Sequence, residues 1–149
     1  MNDRTDLSPE LHGELQAWCA SYIAAFESSD ISATGEHWAF PAMIITGDRQ
    51  IILKDADAFN KNTAGLTAFY ERQKVQRITR TVLSCKFLGE DTASMRVHDV
   101  MSSGCGEQIV DWVAAYALRR TEGGWRAIFA DASGEIDAWQ ARGTPLGSK

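Results

Sequence analysis

The chain is short of several features that would each point to a particular class of protein. It holds three Cys and three Pro in 149 residues. Cys19, Cys85 and Cys105 are odd in number and widely spaced, with no Cys-x-x-Cys or Cys/His cluster. That excludes a disulfide framework and a zinc site, and it predicts buried, inert thiols in a reducing compartment. Basic charge is scarce too, because 15 Lys and Arg stand against 20 Asp and Glu, a formal charge of -5. A surface that tracks phosphates needs the opposite balance, so nucleic acid is not an expected partner. No apolar run approaches the roughly 20 residues of a membrane span. The stretch Met1 to Ser8 carries Asp3, Arg4 and Asp6 and does not read as a signal peptide. The expectation is a soluble, cytoplasmic protein that neither enters nor binds a membrane. Gly-rich phosphate loops, nucleophile elbows and EF-hand loops are missing as well. Three scattered His share no motif, so neither a metal nor a cofactor is implied.

What is present is ordinary in bulk and unusual in one detail. The residues are 44% hydrophobic and 23% charged, which suits a soluble globular chain. At this length the expectation is a single domain spanning 1–149, with an ordered core over about 8–133 and a short C-terminal tail at 134–149. Five Trp in so short a chain must serve core, interface or pocket wall.

The pattern of elements changes halfway along. Ser8 and Pro9 suit a helix start, and Leu11, Leu15, Trp18, Tyr22 and Phe26 recur at spacings of three and four. Asp30 is placed to cap a short second helix ending near Trp38, and Pro41 blocks further helix. Met43 to Thr46 and Gln50 to Leu53 flank Gly47-Asp48-Arg49 as a small hairpin. Asp55 is placed to cap a third helix with Ala58, Phe59, Asn62, Leu66, Phe69 and Tyr70 on its inner side. From Gln76 onward, turn signals at Gly89-Glu90-Asp91, Ser103 to Gly106 and Glu122 to Gly124 separate segments much longer than the usual strand of about 5–6 residues. Such strands curve. Segregated helices and long strands predict an α+β fold with helices on one face of a bent antiparallel sheet.

This order of elements resembles the nuclear-transport-factor-2-like superfamily, particularly its SnoaL-like branch. The resemblance runs from about Leu11 to Ser133. Gly-Gly-Trp-Arg-Ala-Ile-Phe-Ala-Asp-Ala-Ser, from Gly123 to Ser133, is similar to the branch's final strand, and Arg77-Ile-Thr-Arg-Thr-Val-Leu-Ser fits its first long strand. The resemblance implies a cone-shaped, cystatin-like roll, with three N-terminal helices packed on a strongly curved antiparallel sheet around an apolar pocket, and a homodimer. Members include ketosteroid isomerases, dehydratases, epoxide hydrolases, polyketide cyclases, ring-hydroxylating dioxygenase small subunits and non-catalytic binding modules. Fold therefore leaves function to the pocket.

Strand alternation assigns the pocket face once registers are chosen. A two-residue loop at Glu122-Gly123 sets Tyr116 opposite Phe129 and Ala114 opposite Asp131. For the preceding turn, Asp99 opposite Val110 is preferred, because the neighbouring register sets Asp99 against Asp111. Met95, Val97, Asp99, Met101, Val110, Trp112, Ala114, Tyr116, Leu118, Ala127, Phe129 and Asp131 then share the inner face. Arg96, His98, Val100, Ile109, Asp111, Val113, Ala115, Ala117, Ile128 and Ala130 share the outer one.

Asp99 and Asp131 are candidate general acid or base groups, since burial raises a carboxyl pKa toward neutrality. The plainer alternatives are an Asp131 bound to backbone at a strand end and an Asp99 paired with Arg80. Tyr22 and Tyr116 are candidate donors to a carbonyl or enolate oxygen, Tyr22 being otherwise one more member of the helix stripe. Trp18, Phe40, Phe59, Met101, Trp112, Tyr116 and Phe129 are candidate walls for a small apolar or aromatic ligand. His98 beside Asp111 would form a proton relay, although this register puts the pair outside the pocket. His37 would lie near the mouth. Ketosteroid isomerases place an Asp base on the first short strand; here Thr46 holds that position, with Asp48 in the turn. The leading expectation is a small-molecule-binding domain. It would act as a cofactor-free isomerase, dehydratase or cyclase by proton transfer on a cyclic or polyketide-like compound. The alternatives are a non-catalytic ligand-binding or dimerisation module, or a relative of a dioxygenase small subunit.

Overall fold

In the computed structural model, which describes residues 9–146, three helices, with a two-strand hairpin before the third, precede four longer strands, and a fourth helix follows them. Helix α1 spans Pro9–Glu27 and buries Leu11, Leu15, Trp18, Cys19, Tyr22, Ile23 and Ala25. The expected stripe is therefore its inner face; Ser8 lies outside the described residues. Helix α2 spans Ile31–Gly35, and the Asp30 side chain accepts from Ala33 N at 3.0 Å. Strand β1 spans Trp38–Ile45 and β2 spans Gln50–Leu53. Helix α3 covers Ala56–Arg72, capped by Asp55, which accepts from Ala58 N at 2.9 Å. Strands β3 (Arg77–Phe87), β4 (Thr92–Ser102), β5 (Gln108–Thr121) and β6 (Gly124–Asp131) lead to α4, Ser133–Ala141.

The six strands form one curved, open sheet in the order β2-β1-β6-β5-β4-β3. Every neighbouring pair is antiparallel except β1 with β6, which run parallel. β3 is an edge strand, and α1 covers it with polar side chains. Glu27 Oε2 accepts from Ile78 N at 2.7 Å, and Gln16 bonds both Arg80 O and Val82 N. Pairing the free edge this way protects it from addition of another strand.

Three sequence expectations are corrected. Trp38 does not end a helix; it opens β1, whose first residues Trp38 and Phe40 favour a strand, while Pro41 disfavours helix at the residue before it. Pro41 is tolerated there because the β1–β6 register shifts between Trp38 and Met43. Residues 134–146 are not a tail. Trp139 is fully buried (0% exposed), edge-on to Phe69 with ring centroids 5.0 Å apart and stacked on Tyr70. Cys105 is exposed in the β4–β5 turn, whereas Cys19 and Cys85 are buried.

The registers explain the faces. Asp99 opposes Trp112, and Met101 opposes Val110. The expected pairing was displaced by two residues, an even slip that leaves every side chain on its assigned face. Met95, Val97, Asp99, Met101, Val110, Trp112, Ala114, Tyr116, Leu118 and Ala127 are all buried. Between β5 and β6 the expected register holds from Thr121–Gly124 to Leu118–Ala127 and then breaks at a bulge. Beyond it Ala117 opposes Phe129, Tyr116 opposes Ala130 and Ala115 opposes Asp131. Ile128 is the extra residue, so Ala130 replaces Phe129 on the inner face.

Candidate functional site

The concave face of the sheet and helices α1, α3 and α4 surround a cavity of about 760 Å³. Its apolar wall includes Phe26, Trp38, Phe59, Leu66, Met101 and Trp112. Its polar groups come from separate elements. Tyr22 stands on α1, Tyr70 on α3, Arg80 on β3, Asp99 on β4, Tyr116 on β5 and Glu135 on α4.

Arg80 and Asp99 form the polar centre. They are direct cross-strand neighbours, and their side chains are only 5% and 3% exposed. Arg80 Nε donates to Asp99 Oδ1 and Nη2 donates to Oδ2, both at 2.7 Å. Nη2 also donates to the Tyr116 hydroxyl at 2.9 Å, and the guanidinium lies over the Tyr116 ring, 4.8 Å from its centroid. Burial works against the Arg80 charge, but Tyr116 and Asp99 together hold its pKa well above the ordinary value. Among the described residues, Arg80 Nη1 is buried without a hydrogen-bond partner.

Burial pushes Tyr116 up to about 12, against the lowering effect of Arg80. Burial also carries Tyr22 well above its ordinary value. The Tyr22 hydroxyl accepts from Trp38 Nε1 at 3.0 Å and keeps its own proton to donate. Glu135 is the titratable carboxyl of the site. It accepts a short hydrogen bond from the Tyr70 hydroxyl and another from Trp139 Nε1 at 3.2 Å. Burial pushes it up to about 7, although both hydrogen bonds pull it down. The residue is half-buried by surface area because it faces the cavity, yet protein surrounds it and desolvation dominates. Burial followed by the Glu135 charge raises Tyr70, so Tyr70 remains the donor of the pair.

Of the residues the sequence suggested, Tyr22, Phe59, Met101, Asp99, Trp112, Tyr116 and Asp131 line the cavity. Asp131 ends β6 and its Oδ1 accepts from Ser133 N at 3.0 Å. Five others are placed elsewhere. Trp18 sits behind the wall, stacked on Tyr22 with centroids 4.9 Å apart, and Phe40 packs on Phe59 from outside. The bulge turns Phe129 off the inner face. His37 bridges Ser21 Oγ and Ala33 O, each at 2.8 Å. A carbonyl only accepts, so its Nδ1 carries the proton and its Nε2 accepts from Ser21. His98 pairs with Asp111 at 2.8 Å on the outer face, a diagonal contact in the observed register.

Arg80, Tyr70 and Glu135 are the site residues that sequence reasoning did not select. Arg80 entered only as a partner for Asp99, although it interrupts the inward alternation Ile78, Arg80, Val82. Glu135 was lost with the tail, although Ile136 and Trp139 follow it at helical spacing. Thr46 lines the cavity, whereas Asp48 is exposed and accepts from the Thr46 hydroxyl at 3.3 Å. Among the described residues, no group of three His, Cys, Asp or Glu is arranged to hold a metal, and no helix is long and apolar enough to cross a membrane.

A curved open sheet closed by helices over an inner cavity defines the cystatin-like class of α+β proteins. Within it, the chain belongs to the family described as NTF2-like protein (DUF6841), whose profile matches residues 13–134. Solved structures agree. A ketosteroid isomerase-like protein from Erwinia carotovora atroseptica superposes with a TM-score of 0.61 at 15% identity, covering 83% of this chain and 95% of the other. Aln2 from a Streptomyces species gives 0.63 at 17% identity, covering 83% and 90%. An NTF2-like protein with a cystatin-like fold from Novosphingobium aromaticivorans gives 0.58 at 22% identity, covering 80% and 78%. These likenesses are of fold. A comparison with curated protein sequences finds no match.

Proposed function

We propose that the protein binds a small, largely apolar cyclic or polyketide-like molecule in this cavity and catalyses cofactor-free proton transfer on it. The observation that carries the reading is Glu135, a carboxyl on the cavity wall that titrates near 7. A general acid or base works best when its pKa matches the working pH, and such a group contributes about 10²–10⁴-fold. Isomerisation, dehydration and cyclisation of such compounds share one step, removal of a proton from carbon next to a carbonyl. Glu135 is the base in this reading. Arg80 Nη1 and the Tyr116 and Tyr22 hydroxyls are the donors for the oxygen on which charge develops. Asp99, with both oxygens held by Arg80, orients that donor rather than moving the proton.

The test is hydrogen exchange at the activated carbon of 2-tetralone in D2O, followed by NMR. The protein is expected to accelerate exchange over buffer, and Glu135→Gln to remove about 10²-fold or more of the acceleration. Exchange at the buffer rate, with 2-tetralone bound, would leave a non-catalytic ligand-binding module.

A further inference from the structure

A guanidinium carries five N–H donors in a planar fork, and it grips a carboxylate by two parallel bonds along one of its edges. In Arg80 those edges are already taken. The Nε/Nη2 edge is filled by the two oxygens of Asp99. The second Nη2 proton goes to Tyr116, so the Nη1/Nη2 edge has Nη1 alone to give. Asp99 also balances the guanidinium charge at contact distance. A ligand carboxylate reaching Nη1 would make one guanidinium bond in place of the usual two and would face the Asp99 charge. The lining adds two further carboxyl residues, Asp131 and Glu135, while its other arginines, Arg49 and Arg72, are solvent-exposed residues. A ketone oxygen has no such conflict. It accepts from Nη1, and the Tyr116 hydroxyl, which accepts from Nη2, keeps its own proton to donate.

We infer that the cavity selects molecules presenting a single uncharged carbonyl oxygen to Arg80 Nη1, and that Asp99 sets this preference by occupying the guanidinium edge a carboxylate would need. The inference rests on the reading of the cavity as a ligand site and narrows its substrate class.

Three probes of one skeleton separate the outcomes by titration calorimetry on the full chain. They are 2-acetylnaphthalene, 2-naphthoate, which is close to isosteric with it, and 2-ethylnaphthalene, which lacks oxygen. The ketone is expected to bind at least tenfold tighter than either of the others. Asp99→Ala frees the Nε/Nη2 edge and its charge, so 2-naphthoate is expected to gain at least tenfold and overtake the ketone. Removing one member of a buried pair is strongly destabilising, and a variant that does not fold is replaced by Arg80→Met with Asp99→Leu. In that double variant the ketone is expected to lose its advantage over 2-ethylnaphthalene. If wild-type protein binds 2-naphthoate as tightly as the ketone, the inference is overturned while the ligand-site reading stands. If none of the three binds, both are overturned.

Discussion

Replacing Glu135 by glutamine tests the electrostatics of the site without any knowledge of a substrate. In the unfolded chain this carboxyl ionises near 4.5, whereas in the folded protein it keeps its proton until about 7. Below 4.5 both states are neutral and the group costs nothing. As pH rises through the window from 4.5 to 7, the unfolded state releases the proton first, so the folded state loses relative stability. Above 7 both are ionised and the cost levels off. At about 1.36 kcal/mol per pKa unit, the full effect is about 3 kcal/mol, of which about 2.5 kcal/mol falls between pH 5 and pH 8. Glutamine does not titrate, so the comparison isolates this one group. Urea unfolding followed by tryptophan fluorescence, at pH 5, 6, 7 and 8, gives the difference directly. Glu135→Gln is expected to be the less stable protein at pH 5, because glutamine replaces the acceptor that Tyr70 and Trp139 share. It should then gain on wild type by about 2.5 kcal/mol on the way to pH 8. A difference that stays flat across this range would refute the argument that burial, rather than the two hydrogen bonds, controls the carboxyl.

Three further substitutions probe how the site is held. A β-carbon at Gly134 would lie 2.5 Å from the Val113 carbonyl oxygen, so Gly134→Ala should push α4 off β5 and cost about 1–3 kcal/mol in urea unfolding. Trp139→Ala should cost about 3–5 kcal/mol, and a cost near zero would show that the last helix does not belong to the core. Asp55→Ala removes the acceptor for Ala58 N and should lower stability by about 0.5–2 kcal/mol, with unchanged binding of 2-acetylnaphthalene.

Helices α1, α2 and α3 and the turns were legible because local chemistry defines them. Asp30 and Asp55 cap where capping residues should, and the three turns before β4, β5 and β6 fall at their Gly-containing stretches. The inner face of β4 and β5 was legible because alternation survives an even slip of register. The last residues of β6 were not. A bulge has no composition of its own in Arg126-Ala-Ile-Phe-Ala, and it exchanges the sides of Phe129 and Ala130. Arg80 was obscured for a different reason. An arginine on an edge strand is normally solvated, and only the carboxylate directly across the strand pair makes its burial tolerable. Glu135 needed tertiary information, since its raised pKa arises where α4 meets α3 and the sheet.

The bulge at Ile128 also bears on how much empty space the protein contains. With a continuous ladder, the position opposite Tyr116 would be filled by the phenyl ring of Phe129; with one inserted residue it is filled by the methyl of Ala130. Room inside this protein is thus governed partly by the register of β6 on β5, which decides whether a phenyl ring or a methyl group stands opposite Tyr116. Deleting Ile128 would only straighten the strand and leave Ala130 opposite Tyr116, whereas Ala130→Phe would set a ring there and shrink the chamber without altering Arg80, Asp99, Tyr116 or Glu135. A homologue can change the size of molecule it admits through the one side chain that stands opposite Tyr116 in its last strand, leaving its chemistry intact.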